Sequence, residues 1–242
     1  MIPVIPKTYP DDLHCAMRFL LLGAGKTGSL VAEVACERHH EVELVRSAEN
    51  PRASALTAGR LRGVHAVIDF TTPGAVFDNI AACVTAGKPI VVGTTGWYER
   101  MPQVRALVDA SGVGFLFGAN FSIGINLLLE IARTASAATQ YGYTGQIFER
   151  HHVHKKDAPS GTALAIQKAI RGACGQEMEI TSFREGEVVG WHEVILDSPH
   201  DRIYLCHDAK SRRGFAEGAV RAAEWVVGKS GFFDFQDVWQ QV

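Results

Sequence analysis

The chain has 242 residues, of which 47% are hydrophobic, and a formal net charge of −2. This size allows one large or two small domains, and the near-neutral charge excludes a protein that wraps nucleic acid, because phosphate neutralisation needs a clustered cationic surface. The five cysteines form no C-x-x-C pair, no apolar run approaches the roughly 18 residues of a membrane helix, and the first residues lack a signal-peptide pattern. We therefore expect a soluble cytoplasmic protein that binds neither nucleic acid nor membrane.

The first half of the chain alternates strand and helix patterns. Residues 1–16 contain three prolines, show no period and predict a loose extension. Strands are predicted at residues 18–22, which form a short apolar run, and at residues 41–46, 65–70, 89–93 and 114–117, with helical patterns between several of them. Because such alternation is typical of βαβ units, residues 17–121 are predicted to form a Rossmann-type, doubly wound parallel sheet.

The pattern changes near residue 122. A long apolar helix begins near Gly124, and strand-like runs follow at residues 144–152, 179–184, 191–196 and 202–206. Strands grouped in this way suggest a mixed or antiparallel open sheet, so residues 122–214 are predicted to form an α+β domain. Residues 215–227 return to a helical pattern, and the aromatic tail 231–239 shows no obvious strand partner. We expect the segment 215–242 to pack back on the first domain.

A glycine turn follows the first predicted strand. Residues 23–28 (GAGKTG) match G-x-G-x-x-G between a strand and a helix, the context that dinucleotide binding requires. The predicted cofactor contacts there are Gly23, Ala24, Gly25, Lys26, Thr27 and Gly28. At the end of the second strand, Arg46 and Ser47 stand where an acid would hold the ribose of NADH, which favours NADPH. Glu49 offers a carboxylate nearby, and a plain surface charge is the alternative for Arg46.

Two further loops follow the fourth and fifth predicted strands. Ligands bind at the carboxyl ends of strands in open α/β sheets, so these loops are candidates to contact cofactor or substrate. The candidate contacts are Gly93, Thr94 and Thr95 in the first loop and Gly118, Ala119, Asn120 and Phe121 in the second. Two ordinary tight turns remain the alternative interpretation.

Residues 149–163 (ERHHVHKKDAPSGTA) concentrate histidines, lysines and a Ser-Gly-Thr turn ahead of a helical pattern. Imidazoles transfer protons near neutral pH, ammonium groups hold carboxylates, and free N–H groups at a helix start bind anions. Ser160 is a good N-cap, so Lys155 together with the helix start at Ser160, Gly161 and Thr162 predicts an anionic substrate site. A solvated basic loop is the alternative.

The motifs GAGKTG, GTTG, GANFSIGIN and ERHHVHKKDAPSGTA together resemble the dihydrodipicolinate reductase family, over a span from about Met17 to the C-terminus. The resemblance implies a nicotinamide domain joined to a substrate and tetramerisation domain, and NAD(P)H-dependent reduction of a cyclic dicarboxylate in diaminopimelate and lysine synthesis. It also implies His151 as proton donor or acceptor, Lys155 as a second donor, and carboxylate binding by His152, Gly161 and Thr162. Thr95 is a further predicted substrate contact. The chain departs from the family at residues 190–192, where Gly-Trp-His stands for the more common Gly-Glu-His.

Three other functions remain open from the sequence. Another Rossmann-fold amino-acid or keto-acid dehydrogenase would share the glycine turn, and a regulatory module would bind NADPH without turnover. A metal site could use His151, His152, His154 and Asp157, but the lysines inside this cluster would repel a divalent cation, so we predict no metal. We expect His154 to be a packed or supporting imidazole.

Overall fold

The computed structural model describes residues 16–242. The extension predicted for residues 1–16 therefore lies, except for Ala16, outside the described residues. The strands are β1 (Arg18–Leu22), β2 (Glu41–Val45), β3 (Ala66–Asp69), β4 (Ile90–Val92), β5 (Gly114–Phe117), β6 (Thr144–His151), β7 (Glu179–Arg184), β8 (Trp191–Asp197), β9 (Arg202–Asp208) and β10 (Gly231–Asp234). The α-helices are α1 (Lys26–Glu37), α2 (Ala58–Leu61), α3 (Val76–Thr85), α4 (Met101–Ser111), α5 (Ile123–Ala135), α6 (Gly161–Cys174), α7 (Arg213–Val226) and α8 (Phe235–Val238).

The first sheet is parallel and has six strands in the order β10-β5-β4-β3-β1-β2. Its central strands are continuous apolar runs, because helices cover both faces. One face packs against α3 and α4, and the other against α1 and α7. The strand order reverses between β1 and β3, and this switch point opens a crevice at the carboxyl ends of the strands.

The second sheet is mixed, in the order β7-β6-β8-β9. The β6–β7 pair is parallel, with α6 as the crossover, whereas β6–β8 and β8–β9 are antiparallel. Residues along β8 alternate between buried and partly exposed, because one face of the sheet packs on α5 and α6 and the other does not. The Rossmann-type fold with an added mixed-sheet unit is confirmed.

The aromatic tail corrects one expectation. Residues Gly231–Asp234 form β10, which pairs in parallel with β5 and extends the first sheet. Phe232 stacks on Phe115 with ring centroids 4.8 Å apart. The strand lacks alternation because it is a short aromatic edge strand. The domain boundaries predicted at residues 121/122 and 214/215 stay a prediction. Within the described residues, no helix is long and apolar enough to cross a membrane.

The largely buried carboxylate of Glu224 on α7 pairs with two residues that directly follow α1. Arg38 donates two hydrogen bonds to it, at 2.7 and 2.7 Å, and the His40 Nε2 lies 2.7 Å from its Oε1. Replacing Glu224 with glutamine is expected to lower the free energy of unfolding by about 3 kcal/mol, because the partners lose a buried countercharge. Urea unfolding measures this, with the exposed pair Arg171–Glu177 as reference. Glu177→Gln should cost under about 1 kcal/mol, and equal costs would contradict the prediction.

Candidate active site

The glycine turn after β1 fits a dinucleotide pyrophosphate. Gly23 has φ +99°, and a Cβ there would lie 2.2 Å from the carbonyl oxygen of Phe70. A Cβ on Gly28 would lie 2.1 Å from the carbonyl oxygen of Gly23. Gly25, in contrast, has ordinary extended backbone and no neighbouring atom within 4 Å of an added Cβ. Because α1 begins at Lys26 without a side-chain cap, its first N–H groups are free to bind phosphate.

A groove runs from this turn across the switch point. It is lined by Gly25, Lys26, Thr27, Gly28, Phe70, Thr71, Pro73, Gly93, Thr94 and Thr95. A Cβ on Gly93 would lie 2.3 Å from the ring of Phe70, so glycine is needed where the two loops meet. Of the predicted cofactor residues, Gly23 is buried beneath the turn, Ala24 is exposed on it, and Arg46 is 69% exposed beside Glu49, at 3.8 Å.

Asp69, which was not predicted from the sequence, is a fully buried carboxylate beneath this groove. Its Oδ1 accepts hydrogen bonds from the Thr94 hydroxyl at 2.6 Å and from the Thr71 hydroxyl and N–H at 2.7 and 3.0 Å. Its Oδ2 accepts from Asn79 at 2.8 Å. Burial raises the pKa of Asp69, and these four donors oppose that rise. Asp69 therefore ties together the loops after β3 and β4.

A cleft separates the first sheet from α6 and the loop after β6. The described residues that line it include Thr95, Ala119 and Asn120 on one side and His151, Lys155, Ser160, Gly161 and Thr162 on the other. Asn120 spans the cleft, because its Nδ2 donates to the Thr162 Oγ1 at 3.1 Å. Gly118 and Phe121 do not line the cleft: the Phe121 ring packs in the core against Phe235, with centroids 4.7 Å apart.

His151 is the buried imidazole of this cleft, with 9% of its side chain exposed. Its Nδ1 contacts the Oε2 of Glu149, and its ring lies edge-on to His192 with centroids 5.1 Å apart. Burial lowers the pKa of His151. The positive charges of Lys155 and Arg184 lower this pKa as well, whereas Glu149 raises it. Burial also lowers the pKa of His192 to about 3, so His192 is neutral.

The start of α6 and Lys155 form a cationic seat in the cleft. Ser160 caps the helix, its Oγ accepting from the Ala163 N–H at 3.2 Å. The N–H groups of Gly161 and Thr162 have no intrahelical partner in helix geometry, and a Cβ on Gly161 would meet no atom within 4 Å. The Lys155 Nζ lies 2.8 Å from both carboxylate oxygens of Asp157. A substrate carboxylate would therefore compete with Asp157 for this ammonium group.

The other two histidines lie apart from the cleft lining. β6 ends at His151, one residue before the predicted end of this strand, so His152 and His154 lie in the following loop. His152 lies beside Arg212, at 3.4 Å between Nε2 and Nη2. The expectation of a packed or supporting His154 was wrong, because the side chain is 77% exposed at the turn and lies 3.9 Å from Glu187.

Glu149, His151 and His192 place three potential ligand atoms within 4.8 Å of one another. This is a different set from the metal alternative weighed above. However, the Glu149 Oε2 already contacts His151, and Arg184 lies 3.0 Å from the Oε1. A guanidinium at this distance repels a cation and compensates the charge of Glu149, so this cluster is a poor site for a metal ion.

The parallel sheet with its phosphate-fitting glycine turn, opposite a cleft that holds an imidazole, an ammonium group and a helix start, defines a nicotinamide-dinucleotide oxidoreductase class. Comparisons with known proteins narrow this class. The family descriptions "Dihydrodipicolinate reductase, N-terminus" and "Dihydrodipicolinate reductase, C-terminus" match residues 17–121 and 124–239. The chain belongs to the dihydrodipicolinate reductase family, which confirms the resemblance seen in its motifs.

Individual relatives agree with this assignment. The 4-hydroxy-tetrahydrodipicolinate reductase of Thiobacillus denitrificans is 38% identical over 199 residues, covering 74% of each chain. That of Christiangramia forsetii is 34% identical over 238 residues, covering 92% of this chain and 97% of its own. Among solved structures, a dipicolinate-bound dihydrodipicolinate reductase from Paenisporosarcina sp. TG-14 has the same fold, with a TM-score of 0.73 at 23% identity, covering 92% and 99% of the two chains.

Proposed function

We propose that this chain is a 4-hydroxy-tetrahydrodipicolinate reductase, which reduces a cyclic dicarboxylate to tetrahydrodipicolinate with NAD(P)H in diaminopimelate and lysine synthesis. The main structural support for this proposal is the set of residues that lines the cleft. His151, Lys155 and the α6 start face Thr95, Ala119 and Asn120 across a single cleft. A proton source, a carboxylate seat and two cofactor loops are thus adjacent.

The residues of the glycine turn and of the Gly93–Thr95 loop would hold the dinucleotide. When bound, the nicotinamide supplies the hydride for a conjugated C=C–C=N system. Lys155 and the N–H groups of Gly161 and Thr162 bind the substrate carboxylates, with Lys155 exchanging Asp157 for the ligand. His151 then donates a proton to the negative charge that reduction leaves on the ring, and Lys155 is a second proton donor. Thr95 and Ser160 line the cleft and complete the proposed substrate contacts there. His152, outside this lining, stays a contact implied by the family resemblance alone.

The cofactor preference is part of the proposal. Arg46 lies at the carboxyl end of β2 with 69% of its side chain exposed, so its guanidinium is available to a 2′-phosphate. Glu49 lies 3.8 Å away and would favour an unphosphorylated ribose instead. We infer that both cofactors are used and that NADPH is preferred.

We also infer that the enzyme works in the cytoplasm as a homotetramer. The face of the second sheet turned away from α5 and α6 carries Phe148, Phe183, Trp191, Ile195 and Tyr204. Phe183 and Tyr204 are 40% and 57% exposed. Aromatic and aliphatic side chains at the surface of this sheet face, which also carries charged residues, support association between copies of the chain. Light scattering on the purified protein tests this association.

The activity is tested with the fresh condensation product of pyruvate and aspartate semialdehyde, following the loss of NADPH and NADH absorbance in separate reactions. Rapid oxidation is expected with both, and a larger kcat/KM with NADPH. No oxidation by a protein that still binds NADPH would overturn the proposal and favour another dehydrogenase or a regulatory function.

The pH dependence follows from the burial of His151. A proton donor must be protonated, and burial holds the pKa of His151 in the ligand-free protein below its ordinary value of 6.5. Because kcat/KM reports groups of the free enzyme, we expect it to fall as pH rises through a pKa below that value. A pH series at constant ionic strength measures this. A kcat/KM that rises over the same range would show that His151 acts as a base.

A further inference from the structure

Glu149 is fully buried two residues before His151 on β6, so both side chains face α5 and α6. Its two oxygens have different partners. Oε2 contacts the Nδ1 of His151, whereas Oε1 accepts from the Ser160 N–H at 3.3 Å and lies 3.0 Å from the Arg184 Nη2. One carboxylate therefore contacts the proposed proton donor and the residue that caps α6.

Arg184 extends this connection to the loop that carries Lys155. Its Nε donates to the carbonyl oxygen of Lys155 at 3.3 Å, and its Nη2 also contacts the carbonyl oxygen of Asp157. The same guanidinium compensates the buried charge of Glu149. Burial opposes ionisation of Glu149, but hydrogen bonding and the charges of Arg184 and His151 hold its pKa below the ordinary value.

We propose that Glu149 is a positioning residue that acts through His151. Its carboxylate holds the imidazole of His151 in a fixed orientation relative to the first residues of α6. Its carboxylate accepts the Nδ1 proton, which leaves Nε2 as the ring nitrogen for proton transfer. Its other oxygen fixes Ser160, next to the N–H groups that bind a substrate carboxylate. This inference rests on the proposed function and adds a residue to it.

The charges around His151 make Glu149 the group that favours its protonated form. The neighbours are Glu149 on the same strand, Lys155 in the next loop, Arg184 on β7 and His192 on β8. Lys155 and Arg184 are cations and His192 is neutral, so Glu149 alone among these four stabilises an imidazolium. The arrangement follows a general rule, since an acceptor on one imidazole nitrogen sets the tautomer of the other.

The test replaces Glu149 with glutamine, which keeps the shape and removes the charge. We expect kcat to fall about 10- to 100-fold, the falling limb of the kcat/KM profile to move to lower pH, and NADPH binding to stay unchanged. Glu185→Gln is the matched control, because the side chain of this exposed glutamate just after β7 lies 3.8 Å from Arg150. Its one contact with His151 is made by the backbone N–H, which the substitution leaves in place. It should leave both kcat and the pH profile unaltered.

A double-mutant cycle separates positioning from general structural support. If Glu149 acts through His151, Glu149→Gln should lower kcat little further in a His151→Gln background. Equal losses in both backgrounds, or an unmoved pH profile, would contradict the proposal. Should the glutamine variant fail to fold, Glu149→Asp takes its place, because it keeps the charge but shortens the reach. A smaller loss of kcat than that expected for glutamine would then support the proposal.

Imidazole NMR provides a readout that does not need turnover. We expect neutral His151 to carry its proton on Nδ1 in the unaltered protein, and its pKa to fall in Glu149→Gln. These results would support the role of Glu149 even if the reductase assay failed. An Nε2-protonated tautomer with an unchanged pKa would overturn it even if the reductase activity is present.

Discussion

Replacing His151 with glutamine is expected to lower kcat by about 10²–10⁴, the contribution of a well-placed general acid. Glutamine has a similar size and keeps a hydrogen-bonding group against Glu149, but it has no proton to donate near neutral pH. The groove for the dinucleotide does not include His151, so NADPH affinity should remain near that of the unaltered protein. Steady-state kinetics and a separate fluorescence titration with NADPH measure the two quantities.

The matched control is His154→Gln, because it makes the same replacement three residues away at a side chain that is 77% exposed. This variant should retain full kcat. An unchanged kcat in His151→Gln would end the role of His151 as proton donor, and an equal loss in both variants would point to disturbance of the loop rather than to proton transfer.

Replacing Gly25 with alanine should weaken NADPH binding at least 10-fold without unfolding the protein. The backbone at Gly25 is ordinary, and an added Cβ meets no protein atom within 4 Å. Alanine at an N-cap position typically costs about 1 kcal/mol. In the proposed function, glycine is needed at this position because a pyrophosphate approaches the backbone closely and a methyl group would obstruct it.

Gly172→Ala is the control for this variant, since it also adds a methyl group in open space, on a helix far from the groove. It should leave NADPH affinity unchanged. Calorimetric titration with NADPH and the unfolding temperature of each variant give the result. A Gly25→Ala protein that binds NADPH normally would mean that the dinucleotide does not lie on this turn.

Most of the fold was predictable because its signals are local. Continuous apolar runs identified β1, β4 and β5, since both faces of the central strands of a parallel sheet are covered. β10 was not predicted because its pairing is not local. Gly231 lies opposite Gly114, and nothing in this four-residue segment indicates that partner. The end of β6 at His151 was also hidden, so the side chain of His154 was expected in the wrong environment.

The candidate site was predictable where several of its residues lie in one sequence motif. His151, Lys155 and the α6 start lie within one segment, and the structure brings them to one cleft. The residues that surround His151 were missed because they come from several strands. Arg184 and His192 are brought there by the register of β7 and β8 on β6. The spacing of Glu149 and His151 was a local signal, since residues two apart in a strand share a face.

The most direct test of the proposed reaction follows the hydride itself. The purified chain is incubated with the condensation product of pyruvate and aspartate semialdehyde and with NADPH that carries deuterium at the transferred position, and the product is analysed by mass spectrometry. We expect tetrahydrodipicolinate with one deuterium on a ring carbon, formed in equal amount to the oxidised cofactor. Unlabelled product, or no product from a chain that binds NADPH, would contradict hydride transfer to this substrate.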